Sequence, residues 1–470
     1  MTKTTNKIEM NQTLAAGDTA GAAASSSNRI ISGTIWKQLL LFFFPLLFGT
    51  FFQMLYNTAD SVIVGRFVGV GALSAIGGAA SQIAGLVVGA FLGLCSGATV
   101  VIAQYYGADK KNSVETAVHT SIALSLGLGI ILAVLGVILA RPVLVLMDTP
   151  YESMEDSVIY LIIYSIGMPV NLLYNMGAAI LRAIGDSKRP LYYLIVSTLS
   201  NIVLDLLFVA VFKMGVAGAA IATVLCQAIS AVLVLVCLLK ANDCYRVSVR
   251  KIRINWAYLK QILRIGIPSM IQSMAYSISN VILQVVVNGF GTYYVAAWAV
   301  CGKADQVFWM MSNSLGIAIT TFISQNYGAG YFGRVRKCLR QSILIDLVMT
   351  SVMQALLYLL APVITNMFTA NHAVAGLGVY MMRYFIKTYL LFLCIEVFAA
   401  VLRGIGDPLL PMIIDISGVC LLRILWVIFA LPRWPGFDTV MYSYPVSWAV
   451  TSVLMVVYYL VRWKKKLSVS

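Results

Sequence analysis

One phrase in this chain occurs twice, and that repetition limits the fold more than any other feature. Ala178 to Pro190 reads AAILRAIGDSKRP and Ala399 to Pro411 reads AAVLRGIGDPLLP, so Arg182, Gly185, Asp186 and Pro190 return as Arg403, Gly406, Asp407 and Pro411, each 221 positions later. A second phrase keeps the same register: Gln104, Tyr106, Gly107 and Ala108 return as Gln325, Tyr327, Gly328 and Ala329. Two phrases with one offset mean a duplicated half, and a repeat of this length fixes the architecture before individual residues are weighed.

Composition identifies the solvent. Of 470 residues, 60% are hydrophobic and 11% charged, with a mean hydropathy of +0.88, far too apolar for soluble domains. A membrane-spanning helix takes about 20 apolar residues, and runs of that order occur six times in each half. The predicted fold class is an all-α membrane protein of twelve transmembrane helices in two parallel-repeat six-helix bundles. Six spans per half give both halves the same orientation. The predicted segments are a disordered cytoplasmic tail over 1–34, an N-terminal bundle over 35–240, a cytoplasmic linker over 241–256, a C-terminal bundle over 257–463 and a basic tail over 464–470.

The net charge of +15 reads as topology and not as a nucleic-acid surface. With alternating spans and a cytoplasmic N-terminus, the inner loops carry Lys110, Lys111, Arg182, Lys188, Arg189, Arg403, Lys464 to Lys466 and the cations from Lys240 to Arg264, while the outer loops carry only Arg66, Arg141, Lys213 and Arg433. That asymmetry places both termini in the cytoplasm, in a multi-pass protein of the plasma (inner) membrane. The basic linker suits anionic lipid headgroups as a second role. Eight cysteines are scattered without metal spacing, and His119 and His372 stand alone near predicted loops. With no G-x-x-x-x-G-K-[ST] phosphate loop and no nucleophile paired with a base, neither an ATP-driven pump nor an enzyme is indicated.

The polar residues inside the spans carry the chemistry. Gln53, Asn57 and Asp60 fall at i, i+4 and i+7 on the first span, downstream of Pro45, and form one stripe. Asn201 and Asp205 share a face of the fifth span, and Thr223 lies in the sixth. An intramembrane carboxylate is costly and marks a functional site by default. Burial favours the protonated form, so Asp60 and Asp205 can exchange protons; if ionised, their oxygens with the Asn201 amide oxygen and the Thr223 hydroxyl make a hard oxygen set for Na⁺. The second half lacks these acids, since Leu283 follows the register of Asp60 and Trp426 that of Asp205. It holds instead Glu396 in the register of Asn175, with Asp415, Arg423, Lys303, Asp305, Arg383 and Lys387 as internal ion-pair or cavity candidates. Asp346 reads as interfacial. Gly85, Gly89, Gly93 and Gly97 give the second span a face for close helix packing.

The phrases LYNTADSVIVGRFVG around Asp60, NIVLDLLF around Asp205, the QYYGA and QNYGA pair and the two LR-x-IGD phrases together resemble the multidrug and toxic compound extrusion family, nearest its DinF-like bacterial branch, from about Trp36 to Arg462. The resemblance implies two six-helix bundles in a V, and export of organic, cationic or amphipathic compounds in exchange for H⁺ or Na⁺. It also implies a cation site at Asp60, Asn201, Asp205 and Thr223. The family's other branch has a seventh-span acid where this chain has Gln272 and Gln284. Gln53, Asn57, Asn175, Asn280, Glu396, Asp415 and Arg423 are the expected lining of the substrate cavity, with Met274, Trp309 and Met310 as apolar candidates. No cofactor beyond the coupling ion is expected, and the partners are a small organic substrate and membrane lipid, with the protein a monomer and no nucleic acid bound. The alternative is a flippase for a lipid-linked saccharide, whose pyrophosphate would need Lys303, Arg383, Lys387 and Arg423 around the cavity.

Overall fold

The structure is a computed structural model that describes residues 29–369, 371–464 and 466. The expected N-terminal tail lies outside the described residues up to position 28, and the basic tail lies outside them at 465 and from 467 onward. Every regular element among the described residues is helical. Apart from the short helices Arg29–Ser32 and Val70–Gly77, the α-helices of the first half are, in chain order, α1 (Ile35–Phe67), α2 (Ala79–Gly107), α3 (Lys111–Leu146), α4 (Tyr151–Ile166), α5 (Met168–Ala183), α6 (Lys188–Asp205) and α7 (Gly215–Leu239). The second half has α8 (Trp256–Asn288), α9 (Thr292–Gly328), α10 (Phe332–Phe368), α11 (His372–Thr388), α12 (Leu390–Ile405), α13 (Leu409–Asp415), α14 (Leu422–Ala430) and α15 (Phe437–Arg462).

Among the described residues ten helices are long and apolar enough to cross a membrane, and twelve spans result when the two bent pairs are each counted as one. The bends fall at matching places: α4 meets α5 at 50° and α11 meets α12 at 49°. In the first half Pro169 opens α5, and its ring cannot continue the preceding turn. No proline marks the second bend, where the Thr388 hydroxyl donates to the Phe385 carbonyl at 2.8 Å and draws an acceptor away from the helix ladder.

Four apolar cores show how the halves are joined. The start of α1 packs with the C-terminal ends of α9 and α12 and the start of α10, through Leu39, Phe42, Phe43 and Leu46 against Phe322, Val335 and Val401. Past Pro45 the same helix joins the first half's own core through Ile63 and Val64. Helix α8 does the reverse. Leu259, Ile262 and Ile265 lie in the first half's core, and beyond Pro268 Leu283 and Val287 lie in the second's. The first helix of each half thus begins in the partner half's core and ends in its own, with a proline at the crossover. Proline removes one helix hydrogen bond and allows a bend there.

The glycine face of α2 divides at Gly93. A Cβ added at Gly97 would come within 2.6 Å of the Gly266 nitrogen on α8, and one added at Gly93 would come equally close to the Met270 nitrogen, whereas Gly85 and Gly89 have nothing within 4 Å. The two halves touch at the QYYGA end of α2 and part toward its beginning. Gly97→Ala should therefore lower the unfolding midpoint sharply, overpacking costing about 1–3 kcal/mol. Gly127→Ala on α3, exposed with open space around it, should hold or raise it. Thermal unfolding of the two variants in one detergent compares them directly, and equal midpoints would refute the close approach.

Two readings change here. His119 is buried, 3% exposed; its Nδ1 faces the Glu115 carbonyl and its Nε2 accepts from the Ser248 backbone N–H at 2.9 Å. It ties down the linker between halves, together with the Lys251–Glu115 ion pair. Asp346 is also buried and accepts from the Thr350 hydroxyl at 3.1 Å, so its place near a cationic helix end did not make it interfacial.

Candidate functional site: an acid pocket, a central cavity and a paired latch

The first constellation lies inside the first half. Asp60, Asn201, Asp205 and Thr223 are all buried, and they gather from α1, α6 and α7: Asp60 and Asp205 are close enough for their charges to act on each other, and Tyr56 borders both Asp60 and Thr223. Asn201 approaches Asp205 without a hydrogen bond of ordinary geometry. Unpartnered polar atoms concentrate here: Asp60 Oδ1, both polar atoms of the Asn201 amide and both oxygens of Asp205, while Thr223 and Gln227 lie beside the Tyr56 and Tyr164 hydroxyls. Buried polar groups are nearly always paired, so a cluster of orphaned oxygens calls for a proton or a hard cation. Tyr160 of α4 lies near both acids, and Tyr164 lies near Tyr56. Sequence reading missed these tyrosines, although Tyr56 sits one turn before Asp60.

Local backbone helps to aim these groups. Asp205 ends α6, and Leu206–Val211 follows as a π-helical turn, a form that recurs at functional sites. Asp415 ends α13 in the same way, before the π-turn Ile416–Leu421.

The second feature is a cavity of about 800 Å³ between the halves. Gln53, Asn175, Asn280, Glu396 and Arg423 line it, as expected; Asn57 and Asp415 do not. Asn57 lies about 40° round the helix from Gln53 and about 60° from Asp60 at 100° per residue, which carries it off the shared face, and it is exposed. Asp415 is buried behind Gln272, whose amide donates to it. Trp309 reaches the cavity while Met274 and Met310 do not, and Trp298, Tyr276, Tyr444 and Phe392 add aromatic surface on the second half's side. Asp305 also lines the cavity, accepting from the Tyr389 hydroxyl and from Trp309 Nε1.

The expected internal ion pairs are not formed. Among the described residues the ion pairs are Arg141–Glu155, Arg189–Asp186 and Lys251–Glu115, none of them in the cavity. Arg423 lies over the Tyr444 ring at 3.9 Å, while Arg383 and Lys387 both lie over Tyr358 and Lys303 is exposed. Of the four cations that the flippase reading requires, only Arg423 faces the cavity.

The third feature explains the repeated phrases. Gln104 Nε2 donates to the Gly404 carbonyl at 2.9 Å, and Gln325 Nε2 donates to the Ala183 carbonyl at 2.6 Å. Both donors and acceptors are 221 positions apart, so the bonds form a reciprocal pair across the two halves. Gly107 packs on the Gln325 backbone and Gly328 on that of Gln104. Within each half, Thr99 bonds the Ala179 carbonyl and Thr320 the Ala400 carbonyl, again in matching positions. Gly185 at φ +96° and Gly406 at φ +94° make the same left-handed turn, which a residue with a Cβ adopts only at a cost. Arg182 and Arg403, read from sequence as loop charges, are the last-turn residues of α5 and α12 and face the cavity.

A duplicated apolar helical body around an interhalf cavity, with a carboxylate pocket at membrane depth, defines a membrane transporter. The sequence profile of the MatE family matches residues 45–207 and again 268–428. The probable multidrug resistance protein YoeA of Bacillus subtilis is 30% identical over 442 residues, covering 92% of this chain and 95% of that one. The multidrug export protein MepA of Staphylococcus aureus is 21% identical, covering 91% and 94%. Among solved structures, a MOP superfamily transporter from Pyrococcus furiosus superposes with a TM-score of 0.87 at 22% identity, covering 94% of this chain and 98% of that one. The chain belongs to the MatE family of multi-pass multidrug transporters.

Proposed function

We propose that the protein is a cation-coupled antiporter that exports amphipathic organic compounds, with H⁺ or Na⁺ taken up at Asp60, Asn201, Asp205 and Thr223. The observation that carries this reading is the concentration of unpartnered buried oxygens in that pocket. A ligand shifts a conformational equilibrium only by binding one state better than another. Here Asp60 rides on the part of α1 that belongs to the first half's core, while the other end of α1 is held in the second half's core. Loading the pocket changes how the far end of α1 packs, and with Pro45 as a hinge the same segment carries Gly49, Thr50 and Gln53 of the cavity wall with it. We further propose the divisions 35–240 and 257–463 as the moving units, in a monomer of the plasma membrane with both termini cytoplasmic. The latched end is then the cytoplasmic one and the cleft opens outward.

Transport of a dye panel into proteoliposomes, driven separately by a pH gradient and by a Na⁺ gradient, tests the coupling. Accumulation against a concentration gradient is expected under one gradient and not the other. Accumulation that is indifferent to both would overturn the coupling, and a gradient-driven flux of lipid-linked saccharide with no dye transport would favour the flippase reading.

A further inference from the structure

We propose that Arg182 forms a subsite for an acid group at the latched end of the cavity, so that the cargo this cavity selects carries a carboxylate or a phosphate on an aromatic or apolar body. The proposal rests on reading the central cavity as the cargo chamber. Among the described residues five charged side chains line that cavity, namely Arg182, Asp305, Glu396, Arg403 and Arg423, so cations outnumber acids there even with both acids ionised. Asp305 is already occupied by two donors, Tyr389 and Trp309.

Arg182 is the least compensated of the five. The ionisable groups around it are Tyr174 and Cys95, neither an acid at neutral pH. Its guanidinium makes no ion pair or hydrogen bond among the described residues, and the side chains lining the first half's wall beside it, such as Ser96, Thr99 and Asn175, are neutral and polar. Arg403 has Glu396 and Asp415 nearby, yet forms no ion pair with either. A guanidinium left without a partner in a cavity wall is open to an anionic ligand. Arginine suits this task because its planar fork bonds a carboxylate or phosphate through two parallel N–H donors.

The latch lies next to both groups. Arg182 immediately precedes the carbonyl that accepts from Gln325, and Arg403 immediately precedes the one that accepts from Gln104. The backbone beside each arginine is therefore held by the same reciprocal contacts that hold the halves together, and the same cavity offers the aromatic surface of Trp298, Trp309 and Tyr444 to an apolar body.

Equilibrium binding to the full chain in nanodiscs tests this independently of any ion gradient, so its failure is separable from failure of the coupling. The probes are pyrenebutanoate, its primary amide, pyrenebutylamine, pyrenebutyl phosphate and inorganic phosphate. The carboxylate is expected to bind about tenfold more tightly than the amide, as a charge-assisted pair allows, and the amine more weakly still. Arg182→Gln should abolish the preference while leaving amide binding unchanged, and Arg182→Lys should restore part of it. Tight binding of pyrenebutyl phosphate without inorganic phosphate identifies an amphiphile, and binding of both identifies a free-anion site. Equal or tighter binding of the amine by the unaltered protein would overturn the proposal even if no variant folds, as would an undiminished preference in Arg182→Gln.

Discussion

Replacing Asp60 and Asp205 together by asparagine will reduce ion-driven accumulation of a dye to the level of leak, while dye binding in the cavity persists. Each substitution keeps size and hydrogen-bonding atoms but removes the group that can take a proton or neutralise a cation. Energetic coupling between two sites amounts to about 1–3 kcal/mol, a factor of about 5–150 in affinity, and that factor is what the double variant forfeits. Single substitutions will each lose much of it, because the two carboxylates share one pocket and act on each other; contacting sites are not additive. Asp109→Asn, in an exposed turn, serves as the control and should leave the rate untouched. Gradient-driven uptake in proteoliposomes measures all four proteins. A double variant that still accumulates dye at the original rate would end the coupling mechanism and leave the fold unaffected.

The second large effect belongs to the latch. Gln104→Ala with Gln325→Ala removes both reciprocal bonds, and each loss is worth about 1 kcal/mol or more where an acceptor is left short. Together they shift the balance between latched and parted states by roughly 30-fold. Spin labels at the exposed positions Lys110 and Tyr331, which are 221 apart and beside the latch, will report a longer and broader distance in the double variant. Each single variant should lie between, since a two-fold pair weakens by halves. An unchanged distance distribution would mean that the glycine contacts alone hold this end together.

What the sequence disclosed, and what it hid, follows from where information is stored. The duplicated helical frame was legible because hydropathy and the 221-residue register are side-chain properties. So was the gathering of Asp60, Asn201, Asp205 and Thr223, since carboxylates in apolar helices are conspicuous and helical spacing aligns Asn201 with Asp205. The latch was hidden, because its acceptors at Ala183 and Gly404 are backbone carbonyls that leave no trace in residue identity. Arg182 and Arg403 looked like loop charges because the stop signals at Gly185 and Gly406 lie three residues on, yet a helix's last turn still faces inward. Asp415 looked like a cavity residue, but nothing in a linear pattern says that Gln272 stands in front of it. The exchange of α1 and α8 between cores was equally hidden, since an apolar run does not say which neighbour it meets.

Trp426 holds the register of Asp205, and the π-turns show a second relation between the halves. Each half places an acid at the foot of such a turn, but Asp205 closes a helix of 18 residues and Asp415 one of 7 residues. At about 1.5 Å per residue the two carboxylates stand about 27 Å and about 10 Å along spans that begin at the same face. A membrane under voltage drops its potential across that thickness, at about 2.3 kcal/mol per elementary charge for each 100 mV crossed in full. A charge brought to either acid from one face would traverse unequal shares of the drop, so the two halves, nearly alike in shape, differ in the electrical depth of their acids.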